Sequence, residues 1–194
     1  MNALKGVRAV LLGLLLGLLL TQYGLSLMRV DGHSMDPSLH AGELVVVLRP
    51  ATLALVSWLG ASAWAQAARG AIVVVPEPRS EGVLLGMGRT LIVKRVIGLP
   101  LEQVAFQRGA LFIDGEPFPE PWVDSAHRGA YSMTPRAVPA GHVFLAGDNR
   151  LPLASSDSRQ FGPLPAADLR GRLVAQLRLP WGDGGLRWPF ASLL

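Results

Sequence analysis

The chain has 194 residues, of which 50% are hydrophobic and 16% are charged, so one membrane segment and one domain with its own core fit within it. Its mean hydropathy of +0.35 is high for a freely soluble protein and predicts contact with a membrane. The formal charge of +4 comes from scattered basic residues without interleaved aromatics, which argues against nucleic acid as a partner. Cysteine is absent, which excludes disulfides and thiolate chemistry.

The first predicted element is a transmembrane helix over residues 9–28, an uncharged stretch that contains LLGLLLGLLL. At about 20 residues it is long enough to cross a ~30 Å hydrocarbon core. Lys5 and Arg8 precede it, and no acidic residue occurs before Asp31. The positive-inside rule therefore predicts a cytoplasmic amino terminus and an outer location for everything that follows the helix.

This orientation divides the chain into a cytoplasmic segment 1–8, an anchor 9–28 and an extracytoplasmic domain 29–194. It predicts a single-pass protein of the cell (inner or plasma) membrane, with the lipid bilayer as a partner. A cleaved secretory signal peptide is the alternative, because residues 24–26, Gly-Leu-Ser, look like a small-x-small cleavage site. Carbonate extraction separates the two, since a cleaved chain washes off membranes.

The outer domain is predicted to be mostly β, with short apolar runs that are rich in β-branched residues. These runs are Leu44 to Leu48, Ile72 to Val75, Leu91 to Ile97, Leu111 to Ile113 and His142 to Ala146. The chain's 15 prolines and 22 glycines indicate many turns and few long helices. We therefore expect antiparallel sheets.

The nearly uncharged segment 51–68 is ambiguous. A second membrane crossing there would place the motifs before it and after it on opposite sides of the bilayer. An apolar segment on the membrane surface is preferred, because Trp58 and Trp64 suit the interface. A helix packed within the domain is the alternative.

Three motifs carry residues suited to chemistry. Ser34 lies in DGHSMDPSL, directly after the apolar stretch, and Lys94 lies in IVKRVIGLP. Strand alternation places Lys94 on the same face as Ile92 and Val96. Apolar surroundings disfavour the charged form of a lysine, and only the neutral amine accepts a proton. The third motif is GDNR at 147–150, followed by SSDSRQFGP.

In this order the motifs resemble the conserved boxes of bacterial type I signal peptidases (leader peptidases, peptidase family S26), which use a Ser-Lys dyad. The family patterns are G-x-S-M-x-P-T-L, K-R-V-I-G-L-P and G-D-N-R-x-x-S-x-D-S-R. A weaker match is RGAIVV, in which Ala71 stands where the family has an aspartate. The resemblance implies a mostly β catalytic domain of the signal peptidase type after the transmembrane helix.

The resemblance also implies an endopeptidase that cleaves N-terminal signal peptides from secretory precursors after small-x-small sites. Ser34 is then the nucleophile and Lys94 the general base of an acyl-enzyme mechanism that needs no metal or cofactor. The expected partners are membrane-bound secretory precursors.

Supporting roles follow from the same resemblance. Ser155 is expected to orient the lysine, with Ser156 as the alternative because the preceding loop is longer than the family pattern. Gly32 occupies the position where some members carry a second hydroxyl donor for the oxyanion; the first donor is the Ser34 backbone N–H. Two ion pairs are expected to brace the site, namely Asp148 with Arg95 and Asp157 with Arg159.

Other readings stay open at this point. A related Ser-Lys peptidase could act on another substrate, as a self-cleaving or pilin-processing enzyme, and a non-catalytic membrane-anchored β-domain could bind exported proteins. A Ser-His pair is disfavoured, since His33 adjoins Ser34 and neighbours on an extended chain point to opposite faces. Residues 60–68 resemble a cleavage site themselves, which predicts slow self-cutting there.

Overall fold

The computed structural model describes residues 2–19, 24–50, 68–78 and 90–177. Among these residues lie the α-helix α1 (Asn2–Leu19), the single-turn α-helix α2 (Ser158–Phe161) and a 3₁₀ turn at Ala166–Asp168. The strands are β1 (Leu25–Arg29), β2 (Leu44–Leu48), β3 (Ile72–Pro76), β4 (Leu91–Gly98), β5 (Gln103–Gln107), β6 (Ala110–Ile113), β7 (Glu116–Phe118), β8 (Met133–Ala137), β9 (His142–Ala146), β10 (Leu164–Pro165) and β11 (Gly171–Leu177).

These strands form two antiparallel sheets. The larger has seven strands in the order β1-β2-β11-β3-β4-β9-β10, and the smaller has four in the order β7-β6-β5-β8. β4 lies inside the larger sheet, where Val73 of β3 pairs with Lys94 and Ala146 of β9 pairs with Arg95. Lys94 and Arg95 are therefore both held in a fixed register within the sheet.

Alternation along β3 and β4 divides the core between the two faces of the large sheet. Val74 and Val93 pack in one apolar cluster with Met35 and Leu39, which belong to the β1–β2 connection. Val73 and Val96 pack in a second cluster on the opposite face. A third cluster, around Phe106 and Phe144, joins the small sheet to the large one. Each face of β4 is thus buried, as expected of an interior strand.

The predicted helix over residues 9–28 is wrong at its carboxyl end. Leu25 to Met28 lie in β1, where they pair with Val45 to Leu48 of β2. When apolar residues continue past a helix, the sequence pattern alone does not show where the helix ends. Here the pairing with β2 decides that Leu25 to Met28 are extended. Among the described residues, neither helix has both the length and the apolar character that a membrane crossing requires.

The strands predicted from the apolar runs are confirmed. β2 and β9 have the predicted ends, and β3, β4 and β6 each extend one residue beyond the prediction. The mostly β, antiparallel architecture is confirmed with them. The predicted surface segment 51–68, with the self-cutting site at 60–68, lies outside the described residues except for Ala68.

Candidate active site

Ser34 lies in the connection between β1 and β2, a series of turns whose apolar side chains pack into the core. Met35 and Leu39 are almost completely buried in the first apolar cluster, and the Leu39 N–H donates to the Met35 carbonyl at 3.0 Å. Gly32 has a φ of +81°, a left-handed conformation that glycine adopts without strain. The anchored turn leaves the Ser34 side chain half-buried and facing β4.

Lys94 reaches Ser34 from the middle of β4. Its Nζ lies 2.7 Å from Ser34 Oγ and 2.9 Å from the Val93 carbonyl oxygen. Only 3% of Lys94 is exposed, because it shares its sheet face with Val73 and Val96. The Ser34 hydroxyl and the buried Lys94 amine are therefore in direct hydrogen-bond contact, the arrangement that a nucleophile and its base require.

Burial changes the protonation of Lys94. Desolvation lowers its pKa from 10.5 to about 8, against the opposing attraction of the Asp157 and Glu77 carboxylates. Arg159 lowers this pKa a little further and Asp148 raises it. The amine is thus neutral in a useful fraction of molecules near neutral pH, when it can accept a proton from the serine hydroxyl.

Arg95, the next residue of β4, points to the opposite face and links the strand to the β1–β2 connection, which carries Ser34. Its guanidinium forms a bidentate pair with Asp148, with Nε–Oδ1 at 2.8 Å and Nη2–Oδ2 at 2.6 Å. It also donates to the Ser38 hydroxyl at 3.1 Å and the Gly70 carbonyl at 2.8 Å. Because the pair is buried, its bonds hold β4 and the segment that contains Asp148 in a fixed arrangement.

Asp157 forms a second polar cluster beside Lys94. It accepts hydrogen bonds from Arg159 Nε at 2.9 Å, the Gly147 N–H at 2.9 Å and the Ser155 hydroxyl at 2.7 Å. Burial alone raises the pKa of the Asp157 carboxyl, but these bonds and the Arg159 charge outweigh it, so the pKa lies below its ordinary value. Asp157 is therefore a fixed anion near the lysine.

The structure pairs Ser155 with Asp157. Among the described residues, Lys94 Nζ bonds only to Ser34 and the Val93 carbonyl, so no direct bond joins it to Ser155. Gly32, two residues before Ser34, has open space where a side chain would begin. The Ser34 N–H has no protein acceptor among the described residues and is available to a substrate oxygen.

Comparison with known proteins shows the family of this chain. The family model described as "Signal peptidase, peptidase S26" matches residues 3–178. The chain belongs to this family. Among its relatives are Signal peptidase I T of Bacillus subtilis (strain 168), 32% identical over 169 residues (83% of this chain, 77% of the relative), and Signal peptidase I of Bacillus licheniformis, 30% identical over 161 residues (79% and 76%). The crystal structure of a signal peptidase I from Enterococcus faecalis V583 has 30% identity and a TM-score of 0.44, and covers 55% of this chain and 96% of that one.

This S26 peptidase is therefore a serine endopeptidase. Its four histidines are engaged elsewhere in the structure. His33 is 74% exposed and contacts Asp36 at 3.1 Å, and His40 contacts the same carboxylate at 2.8 Å. His127 contacts Asp124, and His142 contacts a backbone carbonyl. The Ser34 hydroxyl is bonded to Lys94 and to none of these rings.

Sequence reasoning missed Asn149 as a part of the site of this S26 peptidase. Its backbone N–H donates to the Ser34 carbonyl at 3.1 Å, and its side-chain Nδ2 donates to the His33 carbonyl at 3.1 Å. Asn149 thus holds the backbone of His33 and Ser34 in the β1–β2 connection. Its place within the GDNR motif is the sequence signal that could have identified it. No three side chains of a metal-binding type gather among the described residues.

Proposed function

We propose that Ser34 and Lys94 are the nucleophile and the general base with which this peptidase cleaves signal peptides from secretory precursors. The 2.7 Å contact between Ser34 Oγ and Lys94 Nζ carries the proposal. It is supported by the desolvation that lowers the lysine pKa to about 8. A hydroxyl becomes an effective nucleophile when a neighbouring base removes its proton during attack.

In the proposed reaction, Lys94 takes the hydroxyl proton while Ser34 Oγ forms a bond to the scissile carbonyl carbon. The Ser34 N–H donates to the developing oxyanion. The lysine ammonium then protonates the leaving amine, and the peptide C–N bond breaks to leave an acyl-enzyme. Water, deprotonated by the same amine, hydrolyses the ester and restores Ser34.

Ser155 and the ion pairs act behind the reacting atoms in this proposal. Ser155 orients the lysine through Asp157, whose carboxylate accepts the Ser155 hydroxyl and attracts the Lys94 ammonium. The pair Arg95–Asp148 holds β4 against the segment after β9, and the pair Arg159–Asp157 holds the carboxylate beside Lys94 in place. Gly32 lies at the edge of the oxyanion position.

Membrane attachment through α1 belongs to the same proposal, with the domain 29–194 on the outer side. The apolar side chains of α1 that the structure describes are each more than half exposed; they are Val7, Val10, Leu11, Leu12, Leu14 and Leu15. Exposed apolar side chains on a helix favour an apolar environment such as a bilayer. Holding enzyme and membrane-bound precursor in one bilayer also raises their effective concentration.

The experiment is cleavage of a precursor with an Ala-x-Ala site by the full chain in proteoliposomes. We expect the wild type to release the mature protein, and Ser34→Ala and Lys94→Ala each to abolish release while they stay folded. Turnover that survives either change would overturn the roles of the dyad. Carbonate extraction of the wild type and of a variant without residues 2–19 tests attachment, and only the wild type should stay in the membrane pellet.

A further inference from the structure

A completely buried ion pair joins the small sheet to the GDNR turn. Glu120 follows β7, and its two carboxylate oxygens accept from Arg150 Nη1 at 2.9 Å and Nη2 at 2.6 Å. Only 2% of the Arg150 side chain and 1% of the Glu120 side chain are exposed. Such a pair costs several kcal/mol in desolvation, so its stabilising value alone does not account for it.

The donor group of Arg150 that does not contact Glu120 binds the GDNR segment. Its Nε donates to the Gly147 carbonyl at 2.6 Å. Its own backbone N–H donates to the His127 carbonyl at 2.8 Å, and its carbonyl accepts from Arg159 at 3.1 Å. Glu120 thus fixes the guanidinium plane, and the plane fixes the position of Gly147.

Gly147 in turn lies against the nucleophile. A Cβ at this position would come within 2.4 Å of the Ser34 carbonyl oxygen and 2.4 Å of Ser155 Oγ. Two residues later, the Asn149 N–H donates to the same Ser34 carbonyl. A shift of the 147–150 turn must therefore move Ser34, because no free space separates them.

We propose that Glu120 and Arg150 are positioning residues that set the distance between Ser34 and Lys94 through the Gly147 carbonyl, an inference that rests on the proposed function. Neither side chain touches the reacting atoms. Glu120 and Arg150 are also absent from the charges that act on Lys94, which are Asp157, Glu77, Arg159 and Asp148. Disturbing the pair should therefore slow the chemical step without moving its dependence on pH.

Arg150→Lys is the primary test, because it keeps a cation beside Glu120 and removes the forked donor to Gly147. We expect kcat for precursor cleavage to fall at least about tenfold, because a misplacement of about 1 Å at a reacting group can cost about 100-fold. KM and the pH midpoint should stay within error. The matched control is Arg69→Lys, since Arg69 also pairs with a glutamate, Glu102, and donates to a carbonyl, that of Ile97, away from Ser34. The control should keep kcat.

A double variant, Glu120→Met with Arg150→Met, separates positioning from stability. Replacing a buried ion pair by apolar residues of similar size is often neutral for stability. We expect near-normal thermal unfolding and a kcat as low as that of Arg150→Lys. Wild-type kcat in either variant, per folded molecule, would overturn the inference.

The rate at which a small fluorophosphonate labels Ser34 is measured beside cleavage. This rate reports on the Ser34–Lys94 geometry whether or not a precursor is processed. Labelled but inactive wild type would contradict the proposed function alone. Equal labelling of wild type and Arg150→Lys would contradict the positioning role alone.

Discussion

Cleavage by this peptidase is expected to follow the deprotonation of Lys94. Burial lowers the pKa of this amine from 10.5 to about 8. A base with that pKa is neutral in about a tenth of molecules at pH 7 and about a hundredth at pH 6. We therefore expect kcat/KM to rise about tenfold per pH unit below pH 7 and to level off above about pH 9.

The interval from pH 8 to pH 9 decides between a shifted and an ordinary lysine. A pKa of about 8 predicts a rise of about twofold across it, whereas an unshifted amine predicts about tenfold. The assay is the initial rate of cleavage of a peptide without groups that titrate in this range, at constant ionic strength. Ser34→Ala supplies the background rate, and circular dichroism at each pH verifies folding. A tenfold rise in that interval, or a plateau already reached at pH 6, would refute the desolvated base.

Three further outcomes follow from the same contacts. The pKa of Lys94 is lower in the folded than in the unfolded chain, so its ionisation destabilises the fold by about 3 kcal/mol below pH 8, and this cost disappears as the pH rises toward 10.5. The stability that Lys94→Met gains in urea unfolding should therefore be larger at pH 7 than at pH 10. An equal gain at both pH values would contradict this prediction. Gly147→Ala should lose about 1–3 kcal/mol and at least about tenfold in kcat, because its Cβ would overlap Ser34 and Ser155, whereas Gly13→Ala, whose Cβ meets open space on α1, should keep kcat. Asp157→Asn should cost about 3–5 kcal/mol at pH 7 because it leaves Arg159 without its partner; since the Asp157 pKa is lowered in the fold, this difference should shrink as acid protonates the wild-type carboxylate, and a difference constant down to pH 2 would argue against it.

Much of the sheet was predictable because alternation and β-branched runs are local signals. The runs that became β2, β3, β4, β6 and β9 were found from composition and spacing alone. The strands that were missed include β8, with a proline inside it, and β1, whose apolar residues continue those of the preceding helix. For β1, the partner strand decides the conformation, and a partner is not a local property.

The reactive residue types were also visible in the chain. Ser34 and Lys94 stand in distinctive motifs, and alternation predicted that Lys94 shares a face with Ile92 and Val96. The bond between their side chains and the degree of burial of the amine depend on how β4 packs against the nucleophile turn. The same holds for Ser155: the resemblance to the family associates it with the lysine, whereas the fold pairs its hydroxyl with Asp157.

The amino-acid sequence by itself indicated the runs that form β2, β3, β4, β6 and β9, the apolar first segment and the motifs that contain Ser34 and Lys94, since each is written in neighbouring positions. Tertiary structure alone decided the Ser34–Lys94 distance, the lowered lysine pKa and the partnership of Glu120 with Arg150. The physical reason is that hydrogen-bond geometry and desolvation depend on packing between segments far apart in the chain, and no local pattern encodes that packing.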